Sequence, residues 1–409
     1  MFGANGKYES PFTIKILDEN YELLTLLQYS NLQWNRKYNA VGVFSIELSG
    51  PMIYTKNWKY VYTEARKELG VITQVNWKKN KASQTVTISG YFAEYELNNM
   101  ICFSKPSFYA NSSGTHYGTS VLTPSPDWVS QEDTADVVAL AFFNAFKQIS
   151  WKNYKVGDDA SSTLTEQSAE LDITAGAVDN DHGVYLSVCH TRNNERLADK
   201  LYDILRSSKA SFQVLYDFEN NTKTLNIVHG IDRSQSGHAF GVNPVSLSTK
   251  NGTIATASVV TSVTSTKDAV IQYQEGNENE DSLILINAKP DNPTRFMVSN
   301  IVTNQSEYIK DDTADKPTAD KNHKLAVLAD ATNMLLNNQD VINIQVDYQL
   351  SSYRYMEDFD LGDIISVDIP EIDLSFDAQI VECNEVVKSG TWSLNLTLGD
   401  AIIRKRGNV

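Results

Sequence analysis

The sequence is poor in the residues that build metal sites and disulfide frameworks. Its 409 residues include only three cysteines and six histidines. Cys102, Cys189 and Cys383 lie far apart and show no C-x-x-C or Cys/His ligand spacing, so the sequence indicates neither a structural metal nor a disulfide pattern. We therefore expect buried, apolar cysteines, and we predict no metal ion and no organic cofactor.

Positive charge is also scarce. Lysine and arginine number 35 against 51 aspartates and glutamates, which gives a formal net charge of −16. Proteins that bind DNA through its phosphates need clustered cations that displace counterions. One basic run, Arg404 to Arg406, stands out in a short C-terminal tail of residues 401–409, where we expect it to aid solubility. The composition argues against specific DNA binding.

Long apolar runs are missing as well. No run approaches the roughly 18 apolar residues that a transmembrane helix requires, and the first ten residues, MFGANGKYES, lack the basic and apolar regions of a secretion signal. We expect a soluble product that is made in the cytoplasm and has no membrane-spanning segment.

Patterns that would indicate an enzyme do not occur. The histidines form no H-E-x-x-H spacing, and the sequence has no glycine-rich phosphate loop. Asp179 begins a segment that looks like a calcium loop, but His190 stands where the twelfth-position glutamate belongs. Asp360 and Asp363 could form an acid–base pair, yet beside Gly362 they are more typical of a turn whose carboxylates accept backbone N–H groups. We predict that the chain is not an enzyme.

Alternation of apolar and polar residues is the main positive signal. Such alternation begins near Phe12, Phe44 and Val86, and about six strands follow one another within residues 12–97 without a helix between them. Short strands at this spacing are typical of a small barrel or sandwich, and a barrel avoids exposed sheet edges. We predict a first β-barrel domain over residues 1–100.

The C-terminal part repeats this pattern. Trp392, Leu394, Leu396 and Leu398 alternate with small polar residues, and an acidic turn precedes the strands that lead up to them. The alternation predicts a second β-barrel domain, assembled from residues 251–303 plus 341–400.

A mixed region separates the two β regions. Apolar side chains recur at helical spacing from Val137 to Ile149 and from Leu197 to Leu205, and a hairpin pattern follows. We predict an α+β domain with long polar loops over residues 101–250 and a helix-containing insertion over 304–340. The predicted fold class is mainly β with α+β, in which two small β-barrels flank the α+β domains.

One polar loop carries aromatic residues. Tyr109, Tyr117 and Trp128 lie in a segment rich in serine, glycine and proline. They fit a platform for stacking on sugars, but aromatic side chains in such loops more often pack on a neighbouring subunit. We favour the subunit contact and keep the saccharide site as the alternative.

Four places in the chain carry a resemblance to a known family. They are Trp34-Asn35-Arg36-Lys37-Tyr38 with Gly42-Val43-Phe44, the strand ending at Gly90, Gly230-Ile231-Asp232-Arg233, and Asp360-Leu361-Gly362-Asp363 with the closing Gly399. In their order and spacing they resemble the tail-hub proteins of siphophages, also called tail-associated or tail-tip baseplate proteins. These proteins are similar in fold to the central baseplate hub protein of contractile phages. Residues 101–185 depart from the family in being longer and more polar.

The resemblance implies a structural role in a virion. It implies a homotrimer whose chains each contribute two β-barrels, so that a quasi-sixfold ring joins the sixfold tail tube to threefold distal parts and lets DNA pass. The implied partners are the distal tail tube or its adaptor, the tape-measure protein, and a distal spike, fibre or receptor-binding protein. The implied location is the tail tip or baseplate of a virion made in the cytoplasm of a bacterial host. The alternatives are a tail protein that binds host-surface saccharides and the hub of a phage-derived contractile injection system.

Overall fold

Strands make up most of the protein. The computed structural model describes residues 12–48, 57–79, 84–102, 121–122, 133–153, 165–177, 185–186, 195–206, 208–238, 240–262, 267–274, 283–288, 294–300, 335, 341–349 and 353–404. The strands in these residues are β1 (Ile14–Leu17), β2 (Leu23–Leu27), β3 (Tyr29–Lys37), β4 (Val43–Leu48), β5 (Tyr60–Tyr62), β6 (Leu69–Lys79), β7 (Gln84–Phe92), β8 (Ile101–Cys102), β9 (Val121–Leu122), β10 (Asp133–Thr134), β11 (Gln148–Asn153), β12 (Thr165–Glu170), β13 (Thr174–Ala175), β14 (Tyr185–Leu186), β15 (Glu195–Arg196), β16 (Ala210–Asp217), β17 (Thr222–His229), β18 (Ser246–Ser248), β19 (Ile254–Ser262), β20 (Ala269–Gln274), β21 (Leu283–Ala288), β22 (Phe296–Asn300), β23 (Val341–Tyr348), β24 (Ile364–Ile369), β25 (Leu374–Lys388) and β26 (Thr391–Arg404). The α-helices are α1 (Ala135–Phe146) and α2 (Leu197–Arg206), and 3-10 helices span Ala93–Asn99 and Pro370–Ile372.

Two compact units divide the chain. The first comprises Met1–Ala257 and Gln345–Val409, and the second comprises Ser258–Ile344. The domain boundaries proposed from the sequence stay a prediction.

One large sheet dominates the first unit. Its strands run in the order β19-β23-β26-β25-β3-β4-β7-β6-β5-β1-β2, and β24 pairs with both β25 and β18. The mainly β fold class predicted from the sequence is therefore confirmed. The two separate barrels are not found, because β3 pairs with β25 and so the N-terminal and C-terminal strands share a sheet. Within the described residues the main strand path runs from β19 to β2 without closing, and β18 forms a further end of the sheet beside β24.

The alternation of apolar and polar residues explains why the positions of the strands could be predicted from the sequence, but not which strands pair with one another. Along β4, Phe44, Ile46 and Leu48 are buried while the residues between them are half-buried, as a strand with one core-facing side requires. The same period appears on β26, where Trp392 and the alternate leucines that follow it are buried. Alternation assigns a residue to a face of the sheet but does not say which strand lies alongside.

A helical layer forms the other large core of the first unit. Helices α1 and α2 pack against each other, and α2 also packs against the hairpin of β16 and β17. The apolar side of α2 includes Leu201 and Leu205, as its sequence spacing predicts, and α1 contributes Phe142 and Phe146. Helix α1 ends at Phe146, so Ile149, which the periodicity placed on the helix, lies in β11 instead.

The second unit contains a small sheet. Strand β20 pairs antiparallel with β21 and parallel with β22. Val270 and Leu335 are buried together, with Met297 packed against them. Leu335 is helical, and the rest of the predicted helix in 304–340 lies outside the described residues.

The cysteines follow the expectation where they are described. Cys102 and Cys383 are free and buried, and Cys189 lies outside the described residues. Across the described ranges, no helix is both long and apolar enough to cross a membrane.

Candidate functional site

Four segments of the chain meet in one largely buried polar cluster. Its members come from β3 and the residue that follows it, from the turn before β6, from the loop after β17 and from the turn before β24. We call this cluster the arginine junction and define it as Arg36, Tyr38, Glu68, Gly230, Arg233, Tyr355, Asp360, Gly362 and Asp363.

Arg36 lies at the centre of the arginine junction. The residue is 5% exposed, and its Nε donates a hydrogen bond to Oε1 of Glu68 at 2.6 Å. Its Nη1 donates to Oδ1 of Asp360 at 2.6 Å and to the hydroxyl of Tyr355 at 2.9 Å. A planar guanidinium with several donors suits this arrangement, which a lysine ammonium would not reproduce.

The charges in the cluster compensate for burial. Burial by itself would lower the pKa of Arg36, but the charges of Glu68 and Asp360 outweigh it and raise that pKa well above its ordinary value. Burial raises the pKa of Glu68, and the charge of Arg36 opposes that rise. Removing one member of such a pair leaves an uncompensated buried charge, which typically costs about 3–5 kcal/mol.

The Asp-Leu-Gly-Asp turn supplies the second part of the arginine junction. Asp363 accepts hydrogen bonds from the backbone N–H of Ile231 at 2.8 Å and of Asp360 at 3.0 Å, and from Nε of Arg233 at 2.8 Å. Gly362 has a φ of +94°, a conformation that favours glycine. Both carboxylates of the turn are thus occupied by backbone and arginine donors, as the turn interpretation of the sequence predicts.

The loop after β17 lies against that turn. Asp232 forms an isolated parallel bridge with Ile364, and the N–H of Arg233 donates to the carbonyl of Ile364 at 2.8 Å. The carboxylate of Asp232 accepts from the N–H of Ser234 at 2.9 Å and so shapes the loop itself. At Gly230, a Cβ atom would overlap the backbone carbonyl of Gly362, so these two segments approach as closely as backbones can.

Tyr38 closes the arginine junction from the other side. Its hydroxyl lies 2.9 Å from the carbonyl oxygens of both Lys209 and Val228, and it accepts the N–H of Gly230 at 3.2 Å. Its ring occupies the space that a Cβ at Gly362 would need. Burial is the main cause that raises the pKa of Tyr38 above its ordinary value, so the hydroxyl remains a neutral donor.

A second buried ion pair lies along the same sheet. Nε and Nη2 of Arg66 donate to the two carboxylate oxygens of Glu385 at 2.6 and 2.5 Å. The indole Nε1 of Trp392 donates to the same carboxylate at 2.9 Å. Glu385 is fully buried, so this bidentate pair and the tryptophan together satisfy a charge that has no access to water.

The remaining motif residues build the core beside the arginine junction. The ring of Trp34 lies 4.7 Å from that of Phe92 and 6.0 Å from that of Phe44, between ring centroids. At Gly42, a Cβ atom would overlap the ring of Phe92, and at Gly90 it would overlap the backbone of β6. At Gly399 the nearest neighbour of an added Cβ is Val381, at 3.0 Å. These glycines leave the space in which aromatic rings and neighbouring strands pack closely.

The structure thus brings together seven of the thirteen motif residues proposed from the sequence. Arg36, Tyr38, Gly230, Arg233, Asp360, Gly362 and Asp363 all belong to the arginine junction, and Asp232 lies beside it. The aromatic residues Tyr109, Tyr117 and Trp128 lie outside the described residues, so their role stays a prediction. In the described part of the chain, no group of three or more histidine, cysteine, aspartate or glutamate side chains is placed to hold a metal ion.

Sequence reasoning missed the glutamates that pair with the arginines. Glu385 alternates with Cys383 and Val387 on the buried face of β25. A charge in an apolar alternating series was the available signal, since such a charge needs a partner. Glu68 carried no comparable signal, because it precedes β6 in a turn and lies 32 positions from Arg36 in sequence.

Solved structures that this chain is similar to include two tail proteins. The tail protein from Neisseria meningitidis MC58 matches with a TM-score of 0.53 at 11% identity, over 95% of this chain and 96% of that one. The 43 kDa tail protein of prophage MuSo2 from Shewanella oneidensis matches with a TM-score of 0.52 at 9% identity, over 95% and 97% of the two chains. At these identities the likeness shows the fold alone. Among curated protein sequences, none matches.

The family comparison covers nearly the whole chain. Residues 13–400 match the family described as Siphovirus ReqiPepy6 Gp37-like protein. The match includes every member of the arginine junction, and it confirms the resemblance to siphophage tail proteins that the motifs indicated. The chain belongs to the Siphovirus ReqiPepy6 Gp37-like family of phage tail proteins.

Proposed function

We propose that this phage tail protein is the hub of the tail tip. Three copies form a ring that joins the sixfold tail tube to threefold distal components, and DNA passes through its centre. In this proposal each chain contributes two β-barrel-like units, one around β1 to β7 and one around β24 to β26. The ring lies at the tail tip of the virion and is assembled in the cytoplasm of the bacterial host.

The observation that carries this proposal is the arginine junction together with the sheet it braces. Strand β3 from the N-terminal region pairs with β25 from the C-terminal region over seven residues, and the loop after β17 is fastened to the turn before β24. Segments more than a hundred residues apart are therefore held by ion pairs, Arg36 with Asp360 and Arg233 with Asp363. Such a frame suits a permanent part of a particle that must keep its shape while other components attach to it.

Charge supports the passage of DNA without adhesion. Three chains carry a formal charge of 3 × −16 = −48. A channel lined by such chains is neutral to acidic, and it repels rather than holds the phosphates of passing DNA. A basic inner ring would contradict this part of the proposal.

The proposed role is structural rather than catalytic. The carboxylates of the arginine junction accept hydrogen bonds from arginines and backbone amides, and so they hold separate segments of the chain together. The proposed partners are the distal tube or its adaptor, the tape-measure protein, and a distal spike, fibre or receptor-binding protein.

Cryo-electron microscopy of the parent particle tests the proposal. With threefold averaging of the tail tip, we expect three copies of this chain around the tail axis, directly below the tube. Multi-angle light scattering of the purified chain at high concentration should give the mass of three copies. A chain that is absent from the tail axis of the particle would refute the assignment.

A further inference from the structure

The main strand path of the large sheet ends in two edges of different character. Among the described strands, β2 forms one end and β19 forms the other. The outermost strand of a sheet presents unpaired backbone N–H and C=O groups. Soluble proteins usually protect such an edge with charge, proline or a covering element. The residues at these two edges therefore indicate whether each meets water or protein.

The β2 edge is apolar and open. Leu23, Leu24 and Leu26 are 50%, 41% and 55% exposed, and a bulge in the pairing with β1 lies at the first two of them. No charged residue occurs from Leu23 to Asn35. Three adjacent half-exposed leucines on an edge strand form an apolar surface of the kind that usually contacts another protein.

The β19 edge is small and uncharged. Ala255, Thr256 and Ala257 are exposed, and the chain has no charged residue from Gly252 to Thr266. Next to this edge, within the first unit, lies a groove of about 690 Å³ across β19, β23 and β26, whose lining includes Ala255, Tyr348, Trp392 and Leu394 together with one acidic residue, Asp347. The sheet thus has bulky apolar side chains at the β2 edge, and small side chains with a neighbouring groove at the β19 edge.

Self-association at these edges also agrees with the charge of the chain. Copies that each carry −16 repel one another over most of their surface. Contact between copies is most favourable where acidic residues are few; β2 and β19 contain none, and the groove contributes Asp347, whose carboxylate accepts a hydrogen bond from the hydroxyl of Thr256.

The two edges lie at opposite ends of one sheet, which determines the kind of assembly. A contact of β2 with β2 of another copy would be isologous, would stop at two copies, and would leave the β19 edge bare. A contact between unlike edges is heterologous, and it produces a ring when the rotation closes. The trimer of the proposed function, on which this inference rests, is a ring of this second kind.

We propose that the β2 edge of one copy docks into the groove beside β19 of the next copy, with Leu24 and Leu26 as its apolar anchors. Each subunit then uses both ends of its main strand path, so that neither β2 nor β19 stays exposed in the ring.

Disulfide trapping between two variants, each with one added cysteine, tests the contact. Leu26→Cys and Ala255→Cys protein are mixed under mild oxidation, and we expect a disulfide-linked pair that neither variant forms alone. The wild-type chain gives the background from its native cysteines. Leu26→Cys mixed with Ile372→Cys is the matched control, because Ile372 is 57% exposed and belongs to the 3-10 helix Pro370–Ile372 rather than to either edge strand.

Charge substitution provides a second readout. Leu26→Glu should raise the concentration at which the trimer dissociates by at least about tenfold, since the loss of one half-exposed leucine from an apolar contact corresponds to roughly one factor of ten. Ile372→Glu should leave that concentration unchanged. Both substitutions replace exposed side chains, so light scattering compares folded proteins.

The outcomes separate this inference from the proposed function. A wild-type trimer that neither forms the trapped pair nor responds to Leu26→Glu would overturn the docking of these edges and leave the trimer standing. A disulfide within a single chain carrying both cysteines would overturn it as well, because the edge would then be covered by its own chain. A wild-type protein that stays monomeric at high concentration would overturn both.

Discussion

Glu94 is a carboxyl group that folding removes from water, and its titration should control the stability of the protein near neutral pH. The residue is 4% exposed. Its Oε1 accepts the N–H of Val214 at 2.9 Å, whereas Oε2 has no hydrogen-bond partner within the described residues. Burial, reinforced by the charge of Glu68, raises the pKa of Glu94 to about 7, although backbone amides and Arg36 act in the opposite direction.

The sign of the effect follows from linkage. As the pH rises above 4.5, the ordinary pKa of this carboxyl, the unfolded chain releases the proton while the folded chain still holds it. The free energy of unfolding therefore falls between about pH 4.5 and 7. With a pKa of about 7 in the folded state, and at about 1.4 kcal/mol per pH unit, the loss is about 3 kcal/mol and is complete above pH 7.

Glu94→Gln removes this titration while keeping the shape of the side chain. We expect the variant to unfold at the same temperature as the wild type near pH 4.5 and to be more stable above pH 7. The stabilisation of about 3 kcal/mol should raise the unfolding temperature by about 5 °C in a chain of this size. Thermal unfolding followed by fluorescence at several pH values between 4.5 and 8.5 measures the difference.

Glu96→Gln is the matched control, because Glu96 lies two positions further along the same 3-10 helix. Its carboxylate forms an ion pair with Lys223 at 2.6 Å, so neutralising it should destabilise the protein at pH 8 instead of stabilising it. The reasoning is refuted if the difference between Glu94→Gln and the wild type does not grow between pH 4.5 and 8.

Three further predictions concern buried groups elsewhere in the protein. Arg36→Met should lower the free energy of unfolding by about 3–5 kcal/mol because it strands buried carboxylates, whereas Arg354→Met, which removes an exposed pair, should cost less than about 1 kcal/mol; equal thermal shifts would contradict this. Gly362→Ala should destabilise more than Gly390→Ala, because both have positive φ but only the first adds a Cβ that overlaps a tyrosine ring, and chemical denaturation of the two variants compares them. The pKa of the Cys102 thiol is raised to about 12, chiefly by burial, so a peptide containing Cys102 should remain unlabelled by a maleimide at pH 8 in the native protein and become labelled after denaturation, as mass spectrometry can check.

The sequence allowed the elements to be predicted better than their arrangement. Alternation located strands such as β4 and β26, and helical spacing located α1 and α2, because each pattern depends on neighbours within one element. The pairing of β3 with β25 joins residues about 350 positions apart, and alternation contains no information about such a partner. For this reason two barrels were expected, whereas in the described residues the N-terminal and C-terminal strands share one large sheet that does not close.

The candidate site shows the same division. The family resemblance pointed to Arg36, Arg233 and Asp363 as members of separate motifs, and the structure places them in one cluster. Glu68, which pairs with Arg36, was not predictable, because a glutamate in a turn is normally exposed to solvent. Only the fold brings it to 2.6 Å from the guanidinium of Arg36.

The buried charges also bear on how this sheet finds its register. Buried ion pairs contribute little net stability compared with well-packed apolar groups, and their best-attested role is to specify one arrangement over others. Apolar alternation alone permits β25 to shift by two residues against β3 and still bury the same face. In the observed register Cys383 lies opposite Arg36 and Glu385 lies opposite Trp34, and a shift by two would move Glu385 away from Arg66 and leave both charges buried without a partner. An Arg66→Met variant tests this role: if the Arg66–Glu385 pair specifies the register, hydrogen exchange along β25 should become faster and heterogeneous, whereas a purely energetic role would leave the exchange pattern of the folded state unchanged.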